Sequence, residues 1–348
     1  MRSLQRRTAL SAYRSGGAFV TLTPEVQLDM DEIADPVWLP VTWRTLSQHF
    51  APLRRATPTF IEHHLRYYRE SLARYHAFCS ENSARAGLPL TATRLACQVE
   101  KDERFWIAAA MLRLFHGDEP VERFAQLLRL AGIESPAADG RQSWEQALRG
   151  TLRLFFEPNL PSPRAYSDWL RTHLAERQPV RYVRESATAA DGSFGKVVLE
   201  GATNVDALLL NEDTGLAVLL EAKVLSDISS HTSYDAARNQ LARNVDVMLE
   251  ANDTLADPLC RRKVESSFLV LVTPEMFRAP AGRSSRLYGV KYDVYKSDAA
   301  ALAADLPHRT APSFDWTETA RRLGWATWED FRRVDDRCCR WLPGHPPA

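Results

Sequence analysis

Three ionisable residues stand where the chain should be buried. Residues 205–210 and 216–224 are apolar runs on either side of Asn211-Glu212-Asp213-Thr214-Gly215, a turn-forming cluster, so the stretch reads as a β-hairpin. Unbroken apolar runs are the pattern of strands covered on both faces. Into them the sequence places Asp206, at the start of the first strand, and Glu221 with Lys223, near the end of the second. Cross-strand neighbours in a hairpin have Cβ atoms about 4.5 to 5.5 Å apart, which sets Asp206 beside Glu221. Lys223, two residues further on, shares the face of Glu221. Close carboxylates repel, and a hard divalent cation with oxygen ligands, typically Mg²⁺, is the usual remedy. A lysine beside such an ion can hold and polarise a water, as hydrolysis of a phosphodiester requires.

The flanking elements must hold this group in place. Residues 233–251 read as a helix with Ala237, Leu241, Val245 and Met248 on its buried stripe. Gln240 and Asn244, one turn apart, share a face at the border of that stripe, so the Gln240 amide can reach the acids. Residues 267–272 (Ser-Phe-Leu-Val-Leu-Val) read as a fully buried strand. Upstream, Tyr166, Leu170 and Leu174 mark a helix over residues 162–177, and residues 180–184 and 196–200 read as strands. A helix, three strands, a helix and a strand imply a small mixed sheet with helices on both sides.

Asp206 followed by Glu221-Ala222-Lys223, with Gln240 on the next helix, resembles the PD-(D/E)XK signature of the restriction endonuclease-like nucleases. Val205 stands where the motif's name has proline. The resemblance covers roughly residues 160–275. It implies an α/β restriction endonuclease-like core in which Asp206 and Glu221, with the Ala222 carbonyl, hold Mg²⁺ (or Mn²⁺ in its place). Lys223 then orients or deprotonates the attacking water, and Gln240 supports the site. A further acid often assists, and Glu176, Glu185, Glu200 and the looser Asp227 are candidates, with Asn244 as another accessory residue. The implied activity is hydrolysis of nucleic acid, DNA before RNA, in restriction, repair or anti-phage defence. The alternative is a catalytically silent nucleic-acid-binding or scaffold module on the same fold.

The 348 residues are 45% hydrophobic and 25% charged with a formal net charge of zero, the composition of an ordinary globular protein. With no global basic field, nucleic acid must be held by a local patch. Arg238 and Arg243 on the helix, and Arg283 and Arg286 in the basic stretch after residue 272, are the candidate phosphate contacts. Five scattered cysteines without a CxxC pair indicate neither a disulfide framework nor a zinc site and fit a reducing cytoplasm. No apolar run approaches the roughly 18 residues of a membrane span. No helix-turn-helix, zinc finger or P-loop pattern is present, so any ATP-driven step would need a partner chain; a regulatory partner protein or a homodimer, the latter to cut two strands, is the expected assembly.

Residues 1–41 read as an irregular basic tail. Residues 42–157 read as a separate helical domain, with helices over 58–83 (capped by Thr57), 105–115, 120–131 and 143–155. There His63, His64, Asp102 and Glu103 read as surface and core-edge residues rather than metal ligands. The proline-rich stretch 158–163 is taken as the boundary of the nuclease core, residues 158–295, which ends in an alternating edge strand at 288–295. Residues 296–348 form an aromatic-rich helical extension whose tryptophans read as packing residues.

Overall fold

The apolar runs pair into one five-stranded mixed sheet flanked by helices. The computed structural model describes residues 29–50, 58–84 (backbone alone for 58, 59 and 77–84), 102–137, 139–187, 198–251, 253–309 and 314–342. The sheet strands are β1 (Leu152–Phe156), β2 (Ala207–Asn211), β3 (Ala217–Ala222), β4 (Ser267–Thr273) and β5 (Leu323–Thr327), side by side in that order. β1 and β2 run antiparallel, as do β2 and β3, while β3, β4 and β5 are parallel. Parallel neighbours need a crossover. The β3-to-β4 connection carries helix α5 (Gln240–Met248), and the β4-to-β5 connection carries α6 (Leu287–Ser297).

The hairpin forms as its sequence predicts, with Ala207 opposite Leu220 and Leu210 opposite Ala217. Asn211 shapes the turn: its Oδ1 accepts from the Asp213 and Thr214 amides at 3.0 and 3.2 Å, and its Nδ2 donates to the Ala147 and Arg149 carbonyls. Gly215 closes the turn at φ +78°, where a Cβ would lie 2.6 Å from the Arg261 carbonyl oxygen.

Alternate residues of the central strands enter two different cores. Leu209, Val218, Leu220, Val270 and Val272 pack on the side of α1 (Pro58–Ala84), α2 (Glu103–Phe115) and α3 (Pro120–Leu130). Leu208, Leu210, Leu219, Leu269 and Leu271 pack against α5 and α6. Burial on both faces explains the unbroken apolar runs. Helix α4 (Arg164–Arg177) sits apart, with Tyr166, Leu170 and Leu174 in a small cluster that includes Leu199.

Several expectations are corrected. The break at 158–163 does not separate two cores, because β1 precedes it and completes the sheet, and the first core runs continuously from Trp38 to Leu342. The end of the expected 143–155 helix is β1; the helix itself is only Trp144–Leu148. Residues 181–187 are helical rather than a strand. Residues 198–200 are irregular, while 196 and 197, like Thr57, lie outside the described residues. The expected edge strand at 288–295 is α6: Tyr288, Tyr292 and Tyr295 are buried at helical spacing, and Val290 and Val294 face outward. The C-terminal extension supplies β5 and α7 (Trp328–Val334) to the same core. There Trp325, Trp328 and Phe331 are buried, as packing residues should be. Among the described residues no helix is long and apolar enough to cross a membrane.

Candidate active site

The three residues of the hairpin meet where β2 begins and β3 ends. The Asp206 amide donates to the Leu220 carbonyl at 3.0 Å, which continues the ladder one residue beyond β2. Its side chain turns toward β3, where Oδ2 accepts from the Ala222 amide at 2.7 Å. Glu221 is only 2% exposed and has both carboxylate oxygens engaged. Oε1 accepts from Lys223 Nζ at 2.7 Å and from Gln240 Nε2 at 2.5 Å, and Oε2 accepts from Asn244 Nδ2 at 2.9 Å. Gln240 opens α5 and Asn244 lies one turn later, so one helix face holds Glu221 through two amides. The helix begins at 240 rather than 233, with Asn239 as cap, accepting from the Ala242 amide.

A third carboxylate arrives from the opposite layer. Glu103, in the first turn of α2, has Oε2 3.8 Å from Lys223 Nζ, while its Oε1 accepts from the Val224 amide at 2.9 Å and from Ser226 Oγ at 2.5 Å. Asp102 caps the helix, accepting from the Phe105 amide. A negative side chain in the first turn is favoured by the helix dipole. The bystander reading of Glu103 is therefore corrected: the residue sits at the site, about 120 positions before the lysine it faces.

Burial and charge set the protonation of the group. Burial first, then the nearby Glu221 charge, pushes the Asp206 carboxyl well above the usual carboxylate range; Lys223 and the Ala222 amide offset this only in part. Burial pulls the other way on Lys223, but Glu221, Asp206 and Glu103 together outweigh it and keep the ammonium charged above its ordinary pKa. The site thus carries an excess of negative charge that a further cation would relieve. Among the described residues, however, no three acidic, histidine or cysteine side chains form a ready metal cage. Mg²⁺ commonly takes one or two carboxylates and completes its shell with waters and phosphate oxygens, so the pair Asp206 and Glu221 fits that ion.

Of the other acids, Glu200 is buried, bound to Arg238 at 3.0 Å and to Ser162 Oγ at 2.5 Å. Glu185 is exposed and pairs with Arg181 one turn earlier, and Glu176 is exposed. None of the three joins the group. Asp227 accepts from the Leu287 and Tyr288 amides, so it ties the loop after β3 to α6.

The arginines divide in the same way. Arg238 is 1% exposed, bound to Glu200 and to Asp246 at 2.6 Å, with its guanidinium 3.8 Å from the Tyr166 ring centre. It braces α5 from inside and cannot face a substrate. Arg243 donates to the Gly201 and Ala202 carbonyls, holding the chain that leads into Asp206. Arg283 pairs with Asp293 at 3.3 Å. Arg286 lies over the Phe277 ring at 4.7 Å. Finally, Trp328 Nε1 donates to the Lys223 carbonyl at 3.0 Å, so the C-terminal helix steadies the end of β3.

No protein family, curated protein or solved structure matches this chain in comparisons of all three kinds.

Proposed function

We propose that the chain is a metal-dependent nuclease with a restriction endonuclease-like core, acting on DNA in preference to RNA. One observation carries the reading: Asp206 and Glu221, on adjacent buried strands, converge with Lys223 at one end of the sheet's central strands, in the arrangement the PD-(D/E)XK resemblance implies. The strand order, an antiparallel β1-β2-β3 joined to parallel β4 and β5, supports the same core.

Asp206 and Glu221 would hold Mg²⁺, with Glu103 as the nearby third carboxylate. The bound ion would supply Lewis-acid polarisation of the scissile phosphate and a more acidic water. Gln240 and Asn244 hold Glu221 in a fixed orientation. Lys223 stays charged between Glu221 and Glu103, so its ammonium orients a water oxygen and stabilises charge that builds on the phosphate. The silent-module alternative has one observation in its favour: Lys223, Gln240 and Asn244 already satisfy Glu221 without any ion.

Incubation with linear duplex, circular duplex and single-stranded DNA and with RNA separates the two readings. Cutting in Mg²⁺ or Mn²⁺ that EDTA abolishes is the expected result. Binding without cutting under all of these conditions would leave the silent module.

A further inference from the structure

A cleft of about 420 Å³ lies between the chain at residues 198–201 and the loop at residues 231–234, with Arg243 of α5 as its third wall. That volume falls within the roughly 300 to 1,000 Å³ of small-ligand sites.

Gln240 fastens the cleft to the acidic group. Its backbone amide donates to the Ser229 carbonyl at 2.8 Å, and its Oε1 accepts from the Ser229 amide at 3.3 Å, while Nε2 of the same side chain holds Glu221 at 2.5 Å. Ser229 Oγ in turn donates to the His231 carbonyl at 2.6 Å, where the loop wall begins. Arg243 follows Gln240 by three residues, about 4.5 Å along the helix axis and about 60° around it. Its Nη2 donates to the Gly201 and Ala202 carbonyls at 2.8 and 2.9 Å, which ties the opposite wall to α5 just ahead of Asp206.

The walls offer a ligand polar groups with little net charge. Arg243 Nε faces Glu200 at 3.5 Å and Nη2 is taken by the two carbonyls, but Nη1 has no hydrogen-bond partner among the described residues. Glu200 presents no free acceptor, because both of its oxygens accept from Arg238. His231 and Ser233 are exposed, Tyr234 is half-buried, and Val198, 74% exposed, adds an apolar edge. With Glu200 offsetting the Arg243 charge and a ring and an apolar edge among the walls, the cleft suits a flat heterocycle better than a phosphate. The donor left on Arg243 calls for a base with acceptors on its edge, and guanine presents two side by side, O6 and N7. A base can enter such a cleft only when it is out of the duplex stack.

Resting on the nuclease reading, we propose that the cleft receives an unpaired guanine of the substrate strand, about one or two nucleotides from the scissile phosphate at roughly 3.4 Å of rise each. Arg243 Nη1 donates to the acceptor edge of the base, and Tyr234 and Val198 flank its ring. The substrate is then single-stranded or frayed where it meets the site.

The test measures binding of labelled single-stranded oligothymidine, plain or carrying one guanine, to the Asp206→Asn protein, so that nothing is cut. The guanine should tighten binding about tenfold, and 7-deazaguanine, which lacks N7, by much less. Arg243→Gln should remove most of the guanine gain. Ser233→Trp, which sets an indole in the cleft and keeps the Ser233 carbonyl that accepts from Gln178, should remove it too, with a thermal melt that matches the parent. Affinity for plain oligothymidine should stay nearly constant in both. A loss in Arg243→Gln that is equal for the two strands and lowers the slope of log K against log salt by about 0.7 would mean a phosphate contact instead and overturn the base subsite. Free guanosine that competes as tightly as the strand would replace the strand subsite by a nucleoside site. A parent that binds the two strands equally, or a guanine gain that survives Ser233→Trp, would overturn the cleft's role while the Mg²⁺-dependent cutting by wild type stands. A parent that binds neither strand, with a wild type that cuts nothing, would remove the nuclease reading as well.

Discussion

Replacing Asp206 by Asn removes one negative charge and keeps the side chain's shape, including the oxygen that accepts from the Ala222 amide. In the metal-free protein this should stabilise the fold, and the gain should depend on pH in a defined way. An unfolded aspartate loses its proton near pH 4. In the folded chain burial and the Glu221 charge raise that pKa well above its ordinary value. Between the two values the folded state binds more protons than the unfolded state, so the stability of the native protein falls as pH rises through the window and levels off above the folded pKa. Asp206→Asn lacks this loss, and the charges common to both proteins cancel in the difference. The variant's advantage should therefore grow by at most about 1.4 kcal/mol per pH unit above pH 4. Urea melts of both proteins in EDTA, from pH 4.5 to 8, measure it. A difference that stays flat or shrinks with pH would mean that Asp206 ionises as an ordinary surface carboxylate, and the electrostatic account of the site would fail.

Metal ions should reverse the order. Mn²⁺ at 100 times its dissociation constant should stabilise the native protein by about 2.7 kcal/mol and Asp206→Asn by far less; equal shifts in thermal melts would remove Asp206 as a ligand. Glu103→Gln should weaken Mn²⁺ binding, measured by calorimetry, by a smaller factor than Asp206→Asn does, and an unchanged affinity would return Glu103 to a purely structural role. A chain beginning at Pro158 loses β1 along with α2 and α3, whose Phe105, Trp106, Leu154 and Phe156 are at most 2% exposed. At about 1.5 to 3 kcal/mol per large buried side chain, these four alone match the roughly 5 to 15 kcal/mol of a typical domain, so circular dichroism should show no cooperative melt. Trp328→Phe keeps the packing on Phe331 but orphans the buried Lys223 carbonyl, and should cost about 1 to 3 kcal/mol in urea melts.

The sequence shows the hairpin because its determinants are local: two apolar runs, a turn led by Asn211 and closed by Gly215, and acids at fixed strand positions. Gln240 and Asn244 were legible for the same reason, being one turn apart on an amphipathic stretch. Glu103 was not, since its contact with Lys223 joins two layers through tertiary packing alone. The one available signal was an acid in the first turn of a helix, and such an acid is fully explained by the helix dipole. The outer strands were hidden differently. β1 follows a short helix after a single glycine, Gly150 at φ +124°, and β5 lies between two helices, so helical periodicity spreads over both. In residues 288–295 alternate apolar residues imitate a strand, although Tyr288, Tyr292 and Tyr295 mark the buried face at helical spacing.

The most direct test of the central claim is a cleavage time course of wild type and Asp206→Asn on the same DNA in Mg²⁺, with folding of both confirmed by thermal melts. The account predicts a variant that is at least as stable as wild type without metal and cuts about 100-fold more slowly or not at all. Cutting by Asp206→Asn at the wild-type rate would contradict it.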